Sequence, residues 1–378
     1  MQFIHTADWH LGNNFSLFTP EQNKKLKRAR IAAVKSIFIY ADKNGIPLII
    51  SAGDQIDNGE VRNERILKDL FLIIENYRHI KVIMIAGNHD PLSSQSIYSR
   101  LSKNYFPENL YFVKDREKLE FPEYRCVVFA SSLKSKNGTI NPLEWIPNNG
   151  TGENLIRIGV AHGSLKIEGK YNVEDFPIET DFALAKKLNY LALGHWHSYY
   201  KHNDYTYYPG TPEPLQFKDS GCILRVSIDK AGNIPLVEKV PVHQFSWDTD
   251  TVDIVSSEDV DLLYKKLKRN ASLQRIVKLI LNGNLSLRDF HSLKEQLEKF
   301  KDNYFSFFTE NNISLVPSSD DLSKILPQGY LAKIVNELND LRKPANKSIL
   351  DFINDENIAK EDVINYALLE IFNHFRRD

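Results

Sequence analysis

Three short apolar runs near the N-terminus each close on residues that can hold a metal ion, and this repetition constrains the chain more than any other feature. Phe3-Ile4-His5-Thr6-Ala7 leads into Asp8, Pro47-Leu48-Ile49-Ile50-Ser51-Ala52 into Gly53-Asp54, and Val82-Ile83-Met84-Ile85-Ala86 into Gly87-Asn88-His89-Asp90. Short, β-branched runs bounded by glycine read as buried strands. Between the first two, Leu26, Ala29, Ala33, Ile37 and Tyr40 recur at helical spacing from Pro20 to Asp42, and Asn44-Gly45 supplies a stop signal. Strand–helix–strand alternation implies crossover connections and a largely parallel first sheet. Such sheets bind ligands on the loops at the carboxyl ends of their strands, which is where these polar residues fall.

Further strands are expected at residues 126–130, 155–161, 190–193, 205–208, 222–228 and 236–240, as a second, mixed sheet packed on the first. Residues 134–154 are rich in Asn, Gly and Pro and read as a long surface loop. The composition shifts near Trp247. Ser256 and Asp259 make a capping-box-like start for a helix whose end carries Lys265, Lys266, Lys268 and Arg269, matching the helix dipole. Residues 275–281 and 313–316 read as strands around a helix with Phe290, Leu293, Leu297 and Phe300 on one face. From residue 322 the chain reads as helices, with Val363, Ala367, Leu368, Ile371 and Phe375 as one apolar stripe that either packs on its own chain or docks a partner. The expected domains are 1–250, a small α/β cap domain at 251–317 and a helical C-terminal segment at 318–378.

The polar motifs, in order, are Asp8-Trp9-His10, Gly53-Asp54-Gln55-Ile56-Asp57, Gly87-Asn88-His89-Asp90, His162-Gly163 and Gly194-His195-Trp196-His197; they hold five of the eleven histidines. Carboxylate, imidazole and amide oxygen together suit manganese, iron or zinc, and a carboxylate with two oxygens can bridge two ions. Two ions about 3.5–4 Å apart can activate a water, clamp a phosphate and stabilise its leaving oxygen. Each motif alone is weak, since Asp-x-His is more often an ordinary polar pair and Gly-Asp is mostly a turn. The joint set, each member closing an expected strand, points to a binuclear metal site.

These residues resemble the calcineurin-type metallophosphoesterase superfamily, and above all its DNA-repair nuclease branch of SbcD-type subunits, whose first motif is close to Ile4-His5-Thr6-Ala7-Asp8-Trp9-His10-Leu11-Gly12. The resemblance covers residues 1 to about 200 and implies an α/β fold of two packed mixed β-sheets flanked by helices, a four-layer αββα core. Carried across residue by residue, it implies that Asp8, His10 and His197 hold one divalent ion, that Asn88, His162 and His195 hold the other, and that Asp54 bridges both. Manganese is the metal expected, with iron or zinc as alternatives. His89 is then the general acid, and Asp57 orients it by a hydrogen bond. The residues before Asp57 lack the Leu-Phe usual in the branch, and the Asp-Arg-Gly triplet of the protein-phosphatase branch is missing. His5, His79, His202 and His243 are left as ordinary residues, and Trp9 and Trp196 as walls of the pocket.

The expected activity is metal-dependent hydrolysis of a DNA phosphodiester, in repair or end processing. Two alternatives stand beside it: a phosphodiesterase or phosphatase acting on a small molecule, and a non-catalytic scaffold protein. A net charge of −1 does not advertise nucleic acid. The basic run Lys24, Lys25, Lys27, Arg28 and Arg30 is a candidate contact to substrate phosphates, although such runs are more often solvated helix faces. The resemblance also implies a coiled-coil, SMC-like ATPase partner and a homodimer. No apolar run is long enough to span a bilayer, and the start lacks the basic segment and apolar stretch of a signal peptide. Cys126 and Cys222, far apart in apolar runs, read as buried reduced thiols, so the expected compartment is the cytoplasm.

Overall fold

A computed structural model describes residues 1–58, 64–100, 105–148, 155–229, 232, 235–316, 329–341 and 360–375. The chain divides into two units, Met1–Trp247 and Asp248–Asp378. In the first, β1 (Gln2–Thr6), α1 (Pro20–Lys43), β2 (Leu48–Ser51), α2 (Glu64–Glu75), β3 (Lys81–Met84), the short α3 (Ile97–Arg100) and β4 (Leu110–Phe112) are followed by β5 (Arg116–Phe121), β6 (Cys126–Ser131) and β7 (Ile156–His162). Then come α4 (Phe182–Ala185), β8 (Tyr190–Gly194), β9 (Tyr200–Lys201), β10 (Thr206–Tyr208), β11 (Cys222–Ser227) and β12 (Leu236–Pro241).

These strands form two six-stranded mixed sheets, in the orders β12-β11-β1-β2-β3-β4 and β5-β6-β7-β8-β10-β9. β1 to β4 are parallel, with Ile4 beside Ile49 and Ile49 beside Val82. β6, β7, β8 and β10 are parallel in the second sheet. One expectation is corrected here. β11 and β12 do not belong to the second sheet; β11 returns to pair antiparallel with β1, and β12 with β11. Periodicity identifies a buried strand without identifying its neighbour, and β11 is as apolar as the strands of either sheet.

Because side chains alternate along a strand, each sheet buries two faces. Phe3, Leu48, Ile50, Ile83, Leu224 and Val226 of the first sheet meet Val128, Ala130, Ile158, Val160, Tyr190 and Ala192 of the second in one cluster. The opposite face of the first sheet, with Ile4, Ile49, Val82 and Met84, is covered by Val34, Ile37 and Phe38 of α1 and Leu67, Leu70 and Ile74 of α2. The outer face of the second sheet, with Val127, Phe129, Leu191 and Leu193, is covered by Leu143, Ile146, Leu165 and Phe182. The expected four-layer α/β core is therefore present. The stretch read as a surface loop is in part a covering layer, since it supplies the buried Leu143 and Ile146; residues 149–154 of it lie outside the described residues.

α1 fixes the approach to the site. Thr19 caps it, accepting from the Gln22 amide while its own amide donates to the Gln22 side chain, and Pro20 supplies a preset first turn. Its inward face carries Leu26, Ala29, Ala33, Ile37 and Ala41, and also one cation, Arg30.

The second unit holds β13 (Ser246–Ile254, which begins two residues before the division), α5 (Ser257–Arg269), β14 (Arg275–Ser286), α6 (Leu287–Phe300), β15 (Ser306–Val316), α7 (Tyr330–Asp340) and α8 (Lys360–Phe375). The sheet order is β13-β14-β15, with β14 and β15 parallel. Ser256 and Asp259 form a full capping box at α5. Val260, Leu263 and Leu267 of α5 join Val277, Leu279, Leu293 and Leu297 in the core of this unit. In α8, Ile364 and Leu368 are buried against Val335 of α7, with Ile371 packed beside them, while Val363 is exposed. The stripe thus packs at least partly on its own chain, turned by one residue from the expected face. No helix among the described residues is long and apolar enough to cross a membrane.

Candidate metal centre

The loops after β1 and β2 are zipped together. Asp8 N donates to Gly53 O at 3.0 Å, His10 N to Asp54 O at 2.9 Å and Leu11 N to Gln55 O at 2.8 Å. Along this ladder the backbone takes left-handed φ at Asp8 (55°), His10 (41°) and Asp54 (55°), and again at His195 (109°). Such conformations cost a non-glycine residue about 1–3 kcal/mol each and persist only where the surroundings over-determine them. Gly87 is required by close approach: a Cβ there would lie 2.2 Å from Asp54 Oδ1.

The side chains converge from five loops. Asp8 accepts the His195 amide on both oxygens, at 3.0 and 3.2 Å. Asp54 Oδ1 accepts the His89 amide at 2.8 Å, while Oδ2 stands 3.3 Å from His162 Nε2 and 3.6 Å from His10 Nε2. Asn88 Oδ1 lies 2.8 Å from His162 Nε2 and 3.1 Å from His195 Nδ1. His10 Nε2 and His197 Nε2 face each other at 3.0 Å. Asp8, His10 and His197 present donor atoms within 4.8 Å of one another, as do Asp8, Asp54 and His162, and His10, Asp54 and His89.

The outer partners settle which nitrogens point inward. His162 Nδ1 donates to Ala52 O at 2.8 Å and His10 Nδ1 to Asp57 Oδ1 at 3.1 Å, so each turns Nε2 to the centre. Burial opposes charging these rings, and it dominates for three of them: His195 is drawn down to about 4, His197 to about 3, and His10 below its ordinary value. Neutral imidazoles are the form that binds a metal. Burial opposes His162 also, but the charges of Asp54 and Asp8 raise it to about 9; burial would raise Asp54, but His162 and the neighbouring rings hold it well below the carboxylate range. Burial pushes the Asp8 carboxyl up to about 8. Protons thus occupy Asp8 and His162 where a divalent cation would replace them, and the oxygen and nitrogen donors gathered here fit such cations.

Two expected roles change, and the hydrogen bond expected between Asp57 and His89 is made by the Asp57 backbone. Arg30, read as a phosphate contact, is 1% exposed. Its guanidinium donates to the carbonyls of Asp8, Trp9 (2.8 Å from Nε), His10 and Glu213 and to Thr211 Oγ1, and burial draws it down only to about 10, leaving it cationic. It is an internal strut for the first motif. Replacing it with Met strands those carbonyls; the metal-free chain is expected to lose on the order of 3 kcal/mol in denaturant unfolding, and an unchanged midpoint would contradict the role. Asp57 does not orient His89 through its carboxylate, which lies 3.8 Å from His89 Nδ1. That carboxylate holds His10, and it is the Asp57 carbonyl that accepts from His89 Nδ1, at 3.0 Å. Trp9 is buried and bonded to Thr6 Oγ1 rather than lining a pocket. Trp196 does line a cavity of about 490 Å³ beside His195 and His197, stacked on Tyr208.

Other supports carry little sequence signal. Asp90 accepts from Gly87 N and Ile56 N and from the Tyr98 hydroxyl, stapling the second and third motifs. Its place in Gly-Asn-His-Asp was the one available hint. Asp219, 3.9 Å from His197 Nδ1, and Asp175, 3.7 Å from His195 Nε2, flank the outer rings. His5 is buried between the sheets against the Tyr190 hydroxyl at 2.9 Å, and His79 pairs with Asp42 at the surface.

The profile of the calcineurin-like phosphoesterases matches residues 1–199. The chain belongs to the calcineurin-like phosphoesterase family. The matched span contains every donor described above, and membership makes the chain a hydrolase of phosphate esters that uses divalent metal ions. Over 243 residues it is 24% identical to the SbcD component of the nuclease SbcCD from Staphylococcus epidermidis, covering 58% of this chain and 63% of that protein. The match thus spans under two thirds of the relative's length.

Proposed function

We propose that this phosphoesterase is a two-metal DNA nuclease. Asp8, His10 and His197 hold one ion, Asn88, His162 and His195 the other, and Asp54 bridges them. The convergence of these seven donors at the ends of strands from both sheets carries the reading. Manganese suits the mixture of carboxylate, amide and imidazole, with iron or zinc as alternatives. Such ions supply Lewis acidity toward a phosphoryl oxygen and a reactive water at neutral pH. The chain itself supplies the proton. His89 is 41% exposed by side chain, edge-on to His10 at 4.7 Å, and held at Nδ1 by the Asp57 carbonyl. Its Nε2 is then the nitrogen left to protonate the departing 3′ oxygen.

DNA as substrate is supported by the likeness to a nuclease component. A panel with manganese tests it: end-labelled single- and double-stranded DNA, cyclic nucleotides and bis(p-nitrophenyl) phosphate. DNA is expected to show the highest kcat/KM, and product lengths resolve endo- from exonucleolytic cutting. Turnover confined to small substrates would favour a small-molecule phosphodiesterase; none, with ions bound, a scaffold protein. A coiled-coil ATPase partner and a homodimer belong to the same proposal, to be sought by co-purification. A cytoplasmic location fits two buried free thiols, of which burial pushes Cys126 up to about 12.

A further inference from the structure

The basic run of α1 is divided by the fold. Lys25 turns outward to Glu21, 3.1 Å away, and Arg30 turns into the core. Lys24, Lys27 and Arg28 line a groove of about 800 Å³ between α1 and α2, and Arg65 of α2 joins them from the other wall. Among the described lining residues these four cations face one carboxylate, Asp69. Lys24 and Arg28 are exposed and stand one helical turn apart, about 6 Å along the surface. Lys27 is tied to Asn14 in the loop that follows the first metal motif.

The first metal motif and the groove are neighbours along the chain. Gly12, two residues after His10, is part of the groove's lining, has φ +91°, and would place a Cβ 2.9 Å from Ile66 Cδ1 of α2. The loop carrying Asp8 and His10 therefore reaches the wall of the groove at Gly12, where the positive φ favours glycine. A lone phosphate would be neutralised by one or two cations; a row of them over a helical turn suits a chain of phosphates.

We infer that this groove carries the phosphate backbone of a polynucleotide that extends beyond the scissile bond, so that the substrate class is an oligonucleotide and not a small diester. The inference deepens the nuclease reading and rests on it. The test uses the full chain with manganese. The double variant Lys24→Gln/Arg28→Gln and the single variant Arg65→Gln are compared with Lys35→Gln, which removes an exposed charge from α1 outside the groove. KM for a single-stranded oligonucleotide and kcat/KM for bis(p-nitrophenyl) phosphate are measured across a salt series. For the double variant, KM on the oligonucleotide is expected to rise about ten-fold and the slope of log KM against log salt to fall by about 1.4, near 0.7 per lost contact to single strands. Arg65→Gln should show about half that change in slope, and Lys35→Gln none. Unchanged KM and slope with DNA still cut would overturn the groove and leave the nuclease reading standing. So would an equal loss on the small diester, which would place the effect at the metal centre. Wild-type chain that hydrolyses the diester but not DNA would overturn the nuclease reading and this inference with it.

Discussion

His89→Gln is expected to retain both ions and to lose DNA hydrolysis by about 10²–10⁴-fold, the usual contribution of a positioned general acid. The reason lies in the different environment of this imidazole. His10 and His162 are almost wholly buried, with Nε2 turned to the centre, whereas His89 is partly exposed and is anchored to a backbone carbonyl outside it. Its backbone amide also bonds Asp54 Oδ1 at 2.8 Å, and glutamine keeps that amide. The defect should also depend on the leaving group. A 3′ alkoxide needs a proton as it departs, while p-nitrophenolate does not, so the variant should be impaired far more on DNA than on bis(p-nitrophenyl) phosphate. Metal content by elemental analysis and rates on both substrates check this. Wild-type rates on DNA would remove His89 from catalysis, and loss of metal would make it a ligand.

Asp54→Ala should act on binding instead. Both Asp54 oxygens are committed, one to the His89 amide and the other toward His162 and His10, and the residue is 1% exposed. Its Oδ2 is the oxygen that stands within 3.6 Å of a ring from each proposed ligand set, so metal affinity is expected to fall by about 10²-fold or more, beyond the usual cost of losing a supporting residue. Full occupancy in the variant would contradict the bridging assignment. The same substitution has a pH signature in the metal-free chain. His162 is raised to about 9, so its contribution to stability is complete below its ordinary value of 6.5 and is lost as pH rises toward 9; the depressed Asp54 contributes above its ordinary 3.8 and loses its effect as pH falls. Metal-free wild type should therefore weaken from pH 6.5 to 9. Asp54→Ala removes the main charge that holds His162 protonated, and should flatten that decline in denaturant midpoints.

The donors were legible in the sequence because each sits where an apolar strand ends, and a strand end in a parallel sheet is already a place where ligands bind. Arg30 was misread because a cation inside a basic run carries no mark of its own; only the helical phase sets it on the face of Leu26, Ala33 and Ile37. The role of Asp57 was half legible. Its neighbourhood to His89 was expected from the resemblance, but its hold on His10, and which of its oxygens serves which ring, follow from the pairing of the loop at Leu11 with Asp57. Asp219 and Asp175 had no signal, since flanking a histidine across the fold leaves no spacing to read. β4 and β5 were missed for another reason. β5 alternates Lys118 and Glu120 with apolar neighbours at a sheet edge, which reads as polar loop as readily as strand.

The most direct test is calorimetric titration of manganese into the metal-stripped chain at about pH 7.5, repeated in buffers of different ionisation heat. Two ions per chain are expected, with protons released on loading, because His162, held protonated to about 9, and Asp8, held to about 8, must both lose protons to become ligands. A single ion, or binding with no proton release, would contradict a binuclear centre built from these residues.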